Sequence, residues 1–201
     1  MKKLCLIIPC FNEFDRLDQK AFSDYLNHNQ SVDLYFVNDG STDDTSSLLK
    51  EFEKSFSNAF FLNYPVNSGK AEVIRRAIQE IETNNYEFVG YWDADLATPF
   101  MEVDRFIEKF ESNKNFVCVM GTRVLRMGTI IKRKSYRHYL GRVFATIVSM
   151  MLKLPVYDTQ CGAKIFKASI TKEIFIKPFV SRWFFDVGTA MSKPVPTNIA
   201  M

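Results

Sequence analysis

The chain has 201 residues, of which 47% are hydrophobic, 24% are charged and 14% are aromatic. This balance is typical of a globular protein and excludes a disordered, a collagen-like or a disulfide-scaffold protein. A chain of this length buries one core, so we expect a single domain.

The net charge of +3 conceals a basic block in the second half of the chain. Between Glu111 and Asp158 the sequence has no acidic residue and nine basic ones. The basic residues are Lys114, Arg123, Arg126, Lys132, Arg133, Lys134, Arg137, Arg142 and Lys153. Such a block indicates a surface for an anionic partner, either a phosphate, an acidic membrane leaflet or a nucleic acid. No recognised nucleic-acid-binding module accompanies it, so we expect no nucleic-acid partner.

The cysteines and the apolar runs predict a cytoplasmic protein. The cysteines lack C-x-x-C spacing and are interpreted as buried, reduced thiols. They are Cys5, Cys10, Cys118 and Cys161. The apolar run at residues 4–8 follows two lysines, as in a signal peptide, but Pro9 ends it and no cleavage site follows, so we interpret it as a strand. The run at residues 143–152 is too short to span a bilayer, so any membrane contact is expected to be peripheral.

In chain order, short apolar runs of strand composition alternate with segments of helical period. The predicted strands are residues 4–9, 32–38, 59–64, 88–93 and 116–122. Helices are predicted after Thr42 or Asp43, after Ser68 and after Thr98, with Pro99 as the first residue of the last one. The alternation predicts a Rossmann-like, mainly parallel sheet that is flanked by helices on both faces.

A polar loop follows each of the first four predicted strands. The loops are residues 9–13, 38–45, 67–70 and 93–95. The carboxyl ends of parallel strands meet at one edge of a sheet, and ligands of open α/β sheets bind outside that edge. Four such loops together predict a nucleotide-type site.

Asp93 and Asp95 are the first candidate ligands. They are two residues apart at the end of a strand, so both carboxylates can face one side and offer paired oxygens to a divalent cation. Mg²⁺ or Mn²⁺ bound in this way usually completes its shell with substrate phosphates and water. The alternative is an ordinary acidic loop, because the D-x-D pattern is short and common. The position of the pair among other polar loops favours the metal site.

Asp39 and the Gly69-Lys70 pair are further candidates at the same edge. The Asp39 carboxylate could accept hydrogen bonds from a base or a ribose, or it could form an Asx-turn or a helix cap. Gly69 permits close backbone approach at a helix start, and Lys70 places an ammonium near a phosphate. The pair is not a Walker A loop, because the first glycine and the Ser or Thr after the lysine are missing.

In order and spacing, these motifs resemble the inverting family 2 glycosyltransferases with the GT-A fold. The motifs are IPCFNE at 8–13, NDGST at 38–42, NSGK at 67–70 and DAD at 93–95. Three later motifs are similar to the branch that makes polyprenyl-phosphate sugars, both dolichyl-phosphate β-glucosyltransferases and dolichyl-phosphate mannose synthases. They are GTR at 121–123, DTQCG at 158–162 and RWFFDV at 182–187.

The resemblance implies a nucleotide-sugar donor, with a UDP-sugar preferred and a GDP-sugar as the other possibility. The residues that it implies around the donor are Pro9, Asn12, Glu13, Asp39, Gly69, Lys70 and Asp93. It places Asp93 and Asp95 at a Mg²⁺ or Mn²⁺ ion, which stabilises charge on the leaving diphosphate. Asp95 and Asp186 are the implied catalytic residues, and Asp186 is the candidate base or acceptor-orienting group. The alternative for Asp186 is to anchor a helix or an arginine.

The acceptor that the resemblance implies is a polyprenyl phosphate. Arg123, Arg133 and Arg137 are candidates to hold its phosphate, because guanidinium groups bind phosphate oxygens bidentately, and Gln160 is placed beside them. The alternative for the arginines is a solvated basic face. The segment 136–153 combines basic residues with the apolar run and predicts peripheral contact with a membrane, with core packing as the alternative.

We expect a glycosyltransferase domain at residues 1–187 and an atypical tail at residues 188–201. The tail has two prolines and no helical period, and we interpret it as a truncation or an altered reading frame. It leaves three hypotheses: transfer of a hexose, with glucose favoured, to a polyprenyl phosphate; a soluble family 2 transferase for a surface glycan; and a nucleotide-sugar-binding remnant without turnover. A protein that lacks the covering elements of the family is also expected to self-associate.

Overall fold

The computed structural model describes residues 2–121, 161–176 and 199–200. The strands in these ranges are β1 Lys2–Cys10, β2 Val32–Asp39, β3 Ala59–Tyr64, β4 Tyr86–Trp92, β5 Cys118–Met120, β6 Ala163–Lys167 and β7 Ile199–Ala200. The helices are α1 Gln19–His28, α2 Thr45–Ser55, α3 Lys70–Glu80, α4 Glu102–Ser112 and α5 Ala168–Ile174, with a 3₁₀ turn at Thr83–Asn85.

The described strands form one mixed, mainly parallel sheet in the order β3-β2-β1-β4-β6-β5-β7. The central strand β1 pairs in parallel with β2 on one side and with β4 on the other. Strand β6 lies between β4 and β5 and runs antiparallel to both. The mainly parallel sheet flanked by helices is confirmed. The antiparallel insertion of β6 between the fourth and fifth strands was not predicted.

Helices cover both faces of the sheet because the strands carry apolar side chains in both directions. On one face, Leu4 and Leu6 of β1 belong to a core cluster with residues of α1, α2 and α4. On the other face, Cys5 and Ile7 belong to a second cluster with residues of α3 and α5. Successive strand residues point to opposite faces, so a continuous apolar run is what a doubly covered parallel strand requires.

Helix α4 begins three residues later than the sequence predicts. The expected first residue was Pro99, whereas the helix starts at Glu102. A turn precedes it, in which the backbone N–H groups of Glu102 and Val103 donate to the carbonyls of Pro99 and Phe100 at 3.1 and 2.9 Å. Short turns of this kind are common at helix N-termini, and sequence patterns do not separate them from the helix itself.

The tail contributes a short strand to the sheet. Ile199 and Ala200 pair in parallel with Cys118 and Val119 of β5. The sequence pattern did not predict this strand, because two residues are too few to show a period. Residues 188–198 and Met201 lie outside the described ranges, as do residues 122–160 and 177–187. Among the helices of the described ranges, none is long and apolar enough to cross a membrane.

Candidate active site

The loops after β1 and β2 are joined by hydrogen bonds. Asn12, which has a positive φ of 53°, donates its backbone N–H to Ser41 Oγ at 3.0 Å. Its Oδ1 accepts the backbone N–H of Thr42 at 2.8 Å. Glu13 donates its backbone N–H to Thr45 Oγ1 at 2.8 Å. Asn12 and Glu13, which were predicted to contact the nucleotide-sugar, are therefore fixed to the loop after β2 by hydrogen bonds. Asparagine is among the few residues that readily adopt the left-handed conformation that residue 12 has here.

Asp39 connects the loop after β2 to the start of α3. Its Oδ1 accepts hydrogen bonds from the backbone N–H and the hydroxyl of Ser68 at 2.8 and 2.9 Å. Its Oδ2 accepts the backbone N–H of Gly69 at 2.8 Å. The side chain is buried, so the carboxylate replaces water as the acceptor for these donors. The structure thus gives Asp39 a part in shaping the site, and its contact with the donor nucleoside stays a prediction.

Gly40 brings the loops after β2 and β3 into close contact. Its φ is +70°, and a Cβ at this position would lie 2.5 Å from the backbone nitrogen of Asn67. Both the left-handed backbone and the close approach require a residue without a side chain. The backbone at Gly40 therefore packs directly against the backbone of the loop at residues 67–70.

Asp93 forms an ion pair with Lys70 and packs against Gly162. The Lys70 ammonium donates to Asp93 Oδ1, and the exposed fractions of the two side chains are 34% and 23%. A Cβ on Gly162 would lie 1.7 Å from Asp93 Oδ2, so the carboxylate occupies the space of that missing side chain. Gly162 is 69 positions from Asp93 and 92 positions from Lys70 in the chain. The three residues come together because β6 pairs with β4, which places residue 162 beside the end of β4.

Asp95 lies at the exposed tip of the turn that follows β4 and also carries Asp93. Its Oδ1 accepts the backbone N–H of Ala97 at 3.0 Å. Leu96 has a positive φ of 48°, and its N–H donates to the carbonyl of Asp93 at 3.1 Å. Below the turn, Trp92 Nε1 donates to the carbonyl of Thr98 at 2.6 Å. The turn that carries both carboxylates is therefore held at its two ends.

The acidic pair suits a divalent cation that shares its shell with a phosphate. Mg²⁺ and Mn²⁺ prefer oxygen ligands and are commonly held by one or two carboxylates with substrate phosphates. Asp93 and Asp95 supply such oxygens from one turn. Within residues 2–121 and 161–176, no group of three or more His, Cys, Asp or Glu could hold a metal by itself. Two carboxylates in one turn are a donor set that Mg²⁺ and Mn²⁺ sites use.

Sequence reasoning missed Lys164, which is fully buried beside this site. Its ammonium donates to Tyr91 Oη at 2.8 Å and lies 5.4 Å from the centre of the Tyr91 ring. The Lys70 ammonium lies 5.8 Å from the same ring. The signal in the sequence was the position of Lys164 between Ala163 and Ile165 in the strand AKIFK, because charged residues are rarely fully buried unless paired.

The remaining predicted residues divide into two groups. Pro9 is the second-last residue of β1, at the edge of the sheet where the polar loops lie. The Glu13 carboxylate forms an ion pair with Arg16, in which Arg16 Nε donates to Glu13 Oε2 at 3.1 Å. The residues predicted for the acceptor side and the second predicted catalytic residue, Asp186, lie outside the described residues. They are Arg123, Arg133, Arg137, Gln160 and Asp186. The segment 136–153 that was predicted to contact a membrane also lies outside them.

Comparison with known sequences identifies the family to which this α/β domain belongs. Glycosyl transferase family 2 matches residues 5–175, and the chain belongs to this family. The family resemblance that the motifs carried is therefore confirmed.

Curated relatives with similar sequences are dolichyl-phosphate beta-glucosyltransferases. That of Trichomonas vaginalis is 31% identical over 195 residues, which cover 91% of this chain and 58% of the relative. The Dictyostelium discoideum protein is 29% identical over 198 residues, covering 92% and 60%. The human protein is 29% identical over 204 residues, covering 92% and 61%. The chain thus spans about three fifths of the length of these relatives.

Solved structures with the same fold are GT-A glycosyltransferases. Glucosyl-3-phosphoglycerate synthase from Mycobacterium tuberculosis, in complex with Mn²⁺, UDP-glucose and phosphoglyceric acid, has a TM-score of 0.71 at 18% identity. The alignment covers 99% of this chain and 68% of that one. A mannosyltransferase from Pyrobaculum calidifontis, in complex with GDP-Man and Mn²⁺, has a TM-score of 0.65 at 15% identity, covering 99% and 54%. At these identities the likeness shows the fold.

Proposed function

We propose that the chain transfers a hexose, glucose by preference, from a UDP-sugar to a polyprenyl phosphate such as dolichyl phosphate. The observation that carries the proposal is the convergence of Asp93, Asp95 and Lys70 at the loop edge of a family 2 domain. The choice of glucose and of a lipid phosphate is supported by the names of the relatives, which are dolichyl-phosphate beta-glucosyltransferases.

On the donor side, Asp93 and Asp95 would hold Mg²⁺ or Mn²⁺ together with the donor diphosphate. The ion would supply positive charge to the leaving group. Pro9, Asn12 and Glu13 would surround the nucleoside. Asp39 would keep the start of α3 in place through its hydrogen bonds to Ser68 and Gly69.

On the acceptor side, an oxygen of the lipid phosphate would attack the anomeric carbon. A bond forms from that oxygen to the carbon while the bond to the diphosphate breaks on the opposite face, so the configuration inverts and UDP departs. A phosphate is already anionic near neutral pH, so no strong base is needed. Arg123, Arg133, Arg137 and Gln160 would hold the phosphate at a membrane surface, and Asp186 would orient the acceptor.

The test is transfer of labelled sugar to lipid. Purified protein is incubated with UDP-glucose or GDP-mannose and Mn²⁺, with vesicles that contain polyprenyl phosphate or lack it. We expect labelled lipid from UDP-glucose only when polyprenyl phosphate is present. Transfer to a soluble glycan acceptor alone would favour a transferase of another substrate class, and UDP binding without any turnover would favour a non-catalytic remnant.

A further inference from the structure

We propose that Lys70 competes with the divalent cation for Asp93 and is transferred to the donor diphosphate when the cation binds. The inference rests on the proposed function, because it takes the diphosphate of a nucleotide-sugar as the ligand. It adds a role for Lys70 as an exchangeable counter-ion, which makes binding of metal and of nucleotide depend on each other.

A metal ion at Asp93 would add a second positive charge to a carboxylate that already binds one. Asp93 Oδ1 accepts the Lys70 ammonium, and Oδ2 lies against the backbone of Gly162. Both oxygens are thus in contact with protein groups. A cation that binds Asp93 therefore meets the Lys70 ammonium at the same carboxylate, and like charges this close repel each other strongly in a partly buried place.

The Lys70 side chain can move more readily than the Asp93 side chain. Asp93 is held in the turn after β4 by the hydrogen bond between Leu96 N–H and the Asp93 carbonyl, and Gly162 blocks movement on the other side. Lys70 has a longer side chain and a larger exposed fraction, 34% against 23%. The buried ammonium of Lys164 lies 5.4 Å from the centre of the Tyr91 ring, and the Lys70 ammonium lies 5.8 Å from the same ring. Because a second positive charge is buried nearby, outward movement of a displaced Lys70 is favoured over movement towards the interior.

A Lys70 ammonium that has moved outward from Asp93 is well placed to bind a diphosphate. Lys70 is the first residue of α3, an 11-residue helix. A helix N-terminus carries partial positive charge, which disfavours an ammonium and favours an anion. A diphosphate bound there would neutralise both the helix end and the ammonium that has left Asp93. Metal alone would have to displace Lys70 without this compensation, so metal alone should bind weakly and metal with diphosphate should bind strongly.

The experiment measures Mn²⁺ binding without nucleotide, from the electron paramagnetic resonance signal of free Mn²⁺, and UDP binding by calorimetry at saturating Mn²⁺. Lys70→Met should bind Mn²⁺ alone at least about fivefold more tightly than wild type, and should bind UDP at least about fivefold more weakly. Lys70→Gln is a second neutral variant with the same expectation. Lys70→Arg keeps a positively charged side chain at this position and should therefore retain weak binding of Mn²⁺ alone.

The matched control is Lys3→Met. Lys3 also forms an ion pair, in which its ammonium donates to Glu111 at 2.8 Å, but it lies near the amino end of β1, away from the loop edge. This variant should bind Mn²⁺ and UDP as wild type does. Unchanged or weaker binding of Mn²⁺ alone by both Lys70→Met and Lys70→Gln would overturn the competition. Failure of wild type to bind UDP or GDP would contradict the proposed function, whereas the Mn²⁺ measurement would still decide the competition.

Discussion

At the scale of single residues, the chemistry of the site depends on where a few carboxylates are held. Asp93 and Asp95 have the same charge and lie in one turn, yet their surroundings differ. Asp93 is enclosed by Lys70 and Gly162. Asp95 is exposed, and its Oδ1 accepts the backbone N–H of Ala97 within the turn. We expect Asp95 to give the cation its accessible oxygen and Asp93 to couple the cation to Lys70.

Replacing Asp95 by asparagine should remove the metal dependence of UDP binding. The substitution keeps the shape of the side chain but removes the negative charge that attracts Mn²⁺. Calorimetric titration of UDP with and without Mn²⁺ measures the effect. Asp24→Asn, which removes an exposed carboxylate from α1, is the control and should retain the dependence. An Asp95→Asn protein with wild-type metal dependence would exclude Asp95 from the site.

Gly162→Ala should disturb Asp93 more than it disturbs the fold. A Cβ 1.7 Å from Asp93 Oδ2 forces the carboxylate to move, so we expect the gain in UDP affinity from Mn²⁺ to fall at least about tenfold. The matched control is Gly121→Ala, whose Cβ would meet Cys161 Sγ at 2.8 Å and no carboxylate. Both variants should lose about 1–3 kcal/mol of unfolding free energy through overpacking. Equal metal dependence in the two variants would contradict the prediction.

At the scale of elements, the site consists of loops that brace one another. Asn12 joins the loops after β1 and β2, and Asp39 joins the loop after β2 to the start of α3. Trp92 and Gly162 connect the turn after β4 to the loop before α4 and to β6. Each loop begins at a parallel strand, so the sheet sets their spacing and the hydrogen bonds set their shape.

Asp39→Ala should loosen the start of α3. Three hydrogen bonds from Ser68 and Gly69 to a buried carboxylate would be lost, so we expect the free energy of unfolding to fall by about 2 kcal/mol. Hydrogen exchange should quicken at the amides of Ser68 and Gly69 while the amides of β1 stay protected. Asp15→Ala, which removes an exposed carboxylate, should change neither quantity. Unchanged exchange in Asp39→Ala would show that other groups hold the loop.

At the scale of the whole molecule, the helices on both faces of the sheet bury the cysteine thiols. All four cysteines are free and buried. Burial raises the pKa of the Cys118 thiol to about 12, and it also raises the pKa of Cys5 and of Cys10. A thiol with a raised pKa is protonated at neutral pH and is therefore a poor nucleophile.

The native protein should not react with a thiol reagent at pH 7–8. We expect almost no release of chromophore from Ellman's reagent until urea unfolds the chain, after which all four thiols should react. The raised pKa values of Cys5, Cys10 and Cys118 keep these three thiols protonated until the pH is well above neutral. Rapid reaction of one thiol in the folded protein would show that a cysteine is accessible.

The basic block should bring the protein to anionic membranes. Each lysine or arginine near an anionic surface contributes about 1 kcal/mol, so Lys132/Arg133/Lys134→Ala should lower binding by roughly two orders of magnitude. Flotation with vesicles containing anionic lipid measures this, and added salt should weaken wild-type binding. Lys20/Lys54/Lys109→Ala removes the same charge from exposed helix positions and is the control. Equal recovery of both triple variants would contradict a membrane role for the block.

The sequence by itself determined the strands β1 to β4, their parallel arrangement and the polar loops at their carboxyl ends. It could do so because period, capping residues and turn residues act over short distances along the chain. The helices α2, α3 and α4 were predicted in the same way, since their apolar residues recur at helical spacing.

Only the tertiary structure decided which distant residues share the site. The insertion of β6 beside β4 brings Gly162 to Asp93 and Lys164 to Tyr91, and strand order leaves no mark on local periodicity. The pairing of Lys70 with Asp93 and the burial of Asp39 under the NSGK loop likewise depend on contacts between residues more than 20 positions apart. Composition and spacing identify the groups that can do chemistry, whereas packing decides which of them meet, because that choice depends on the free energy of the whole fold.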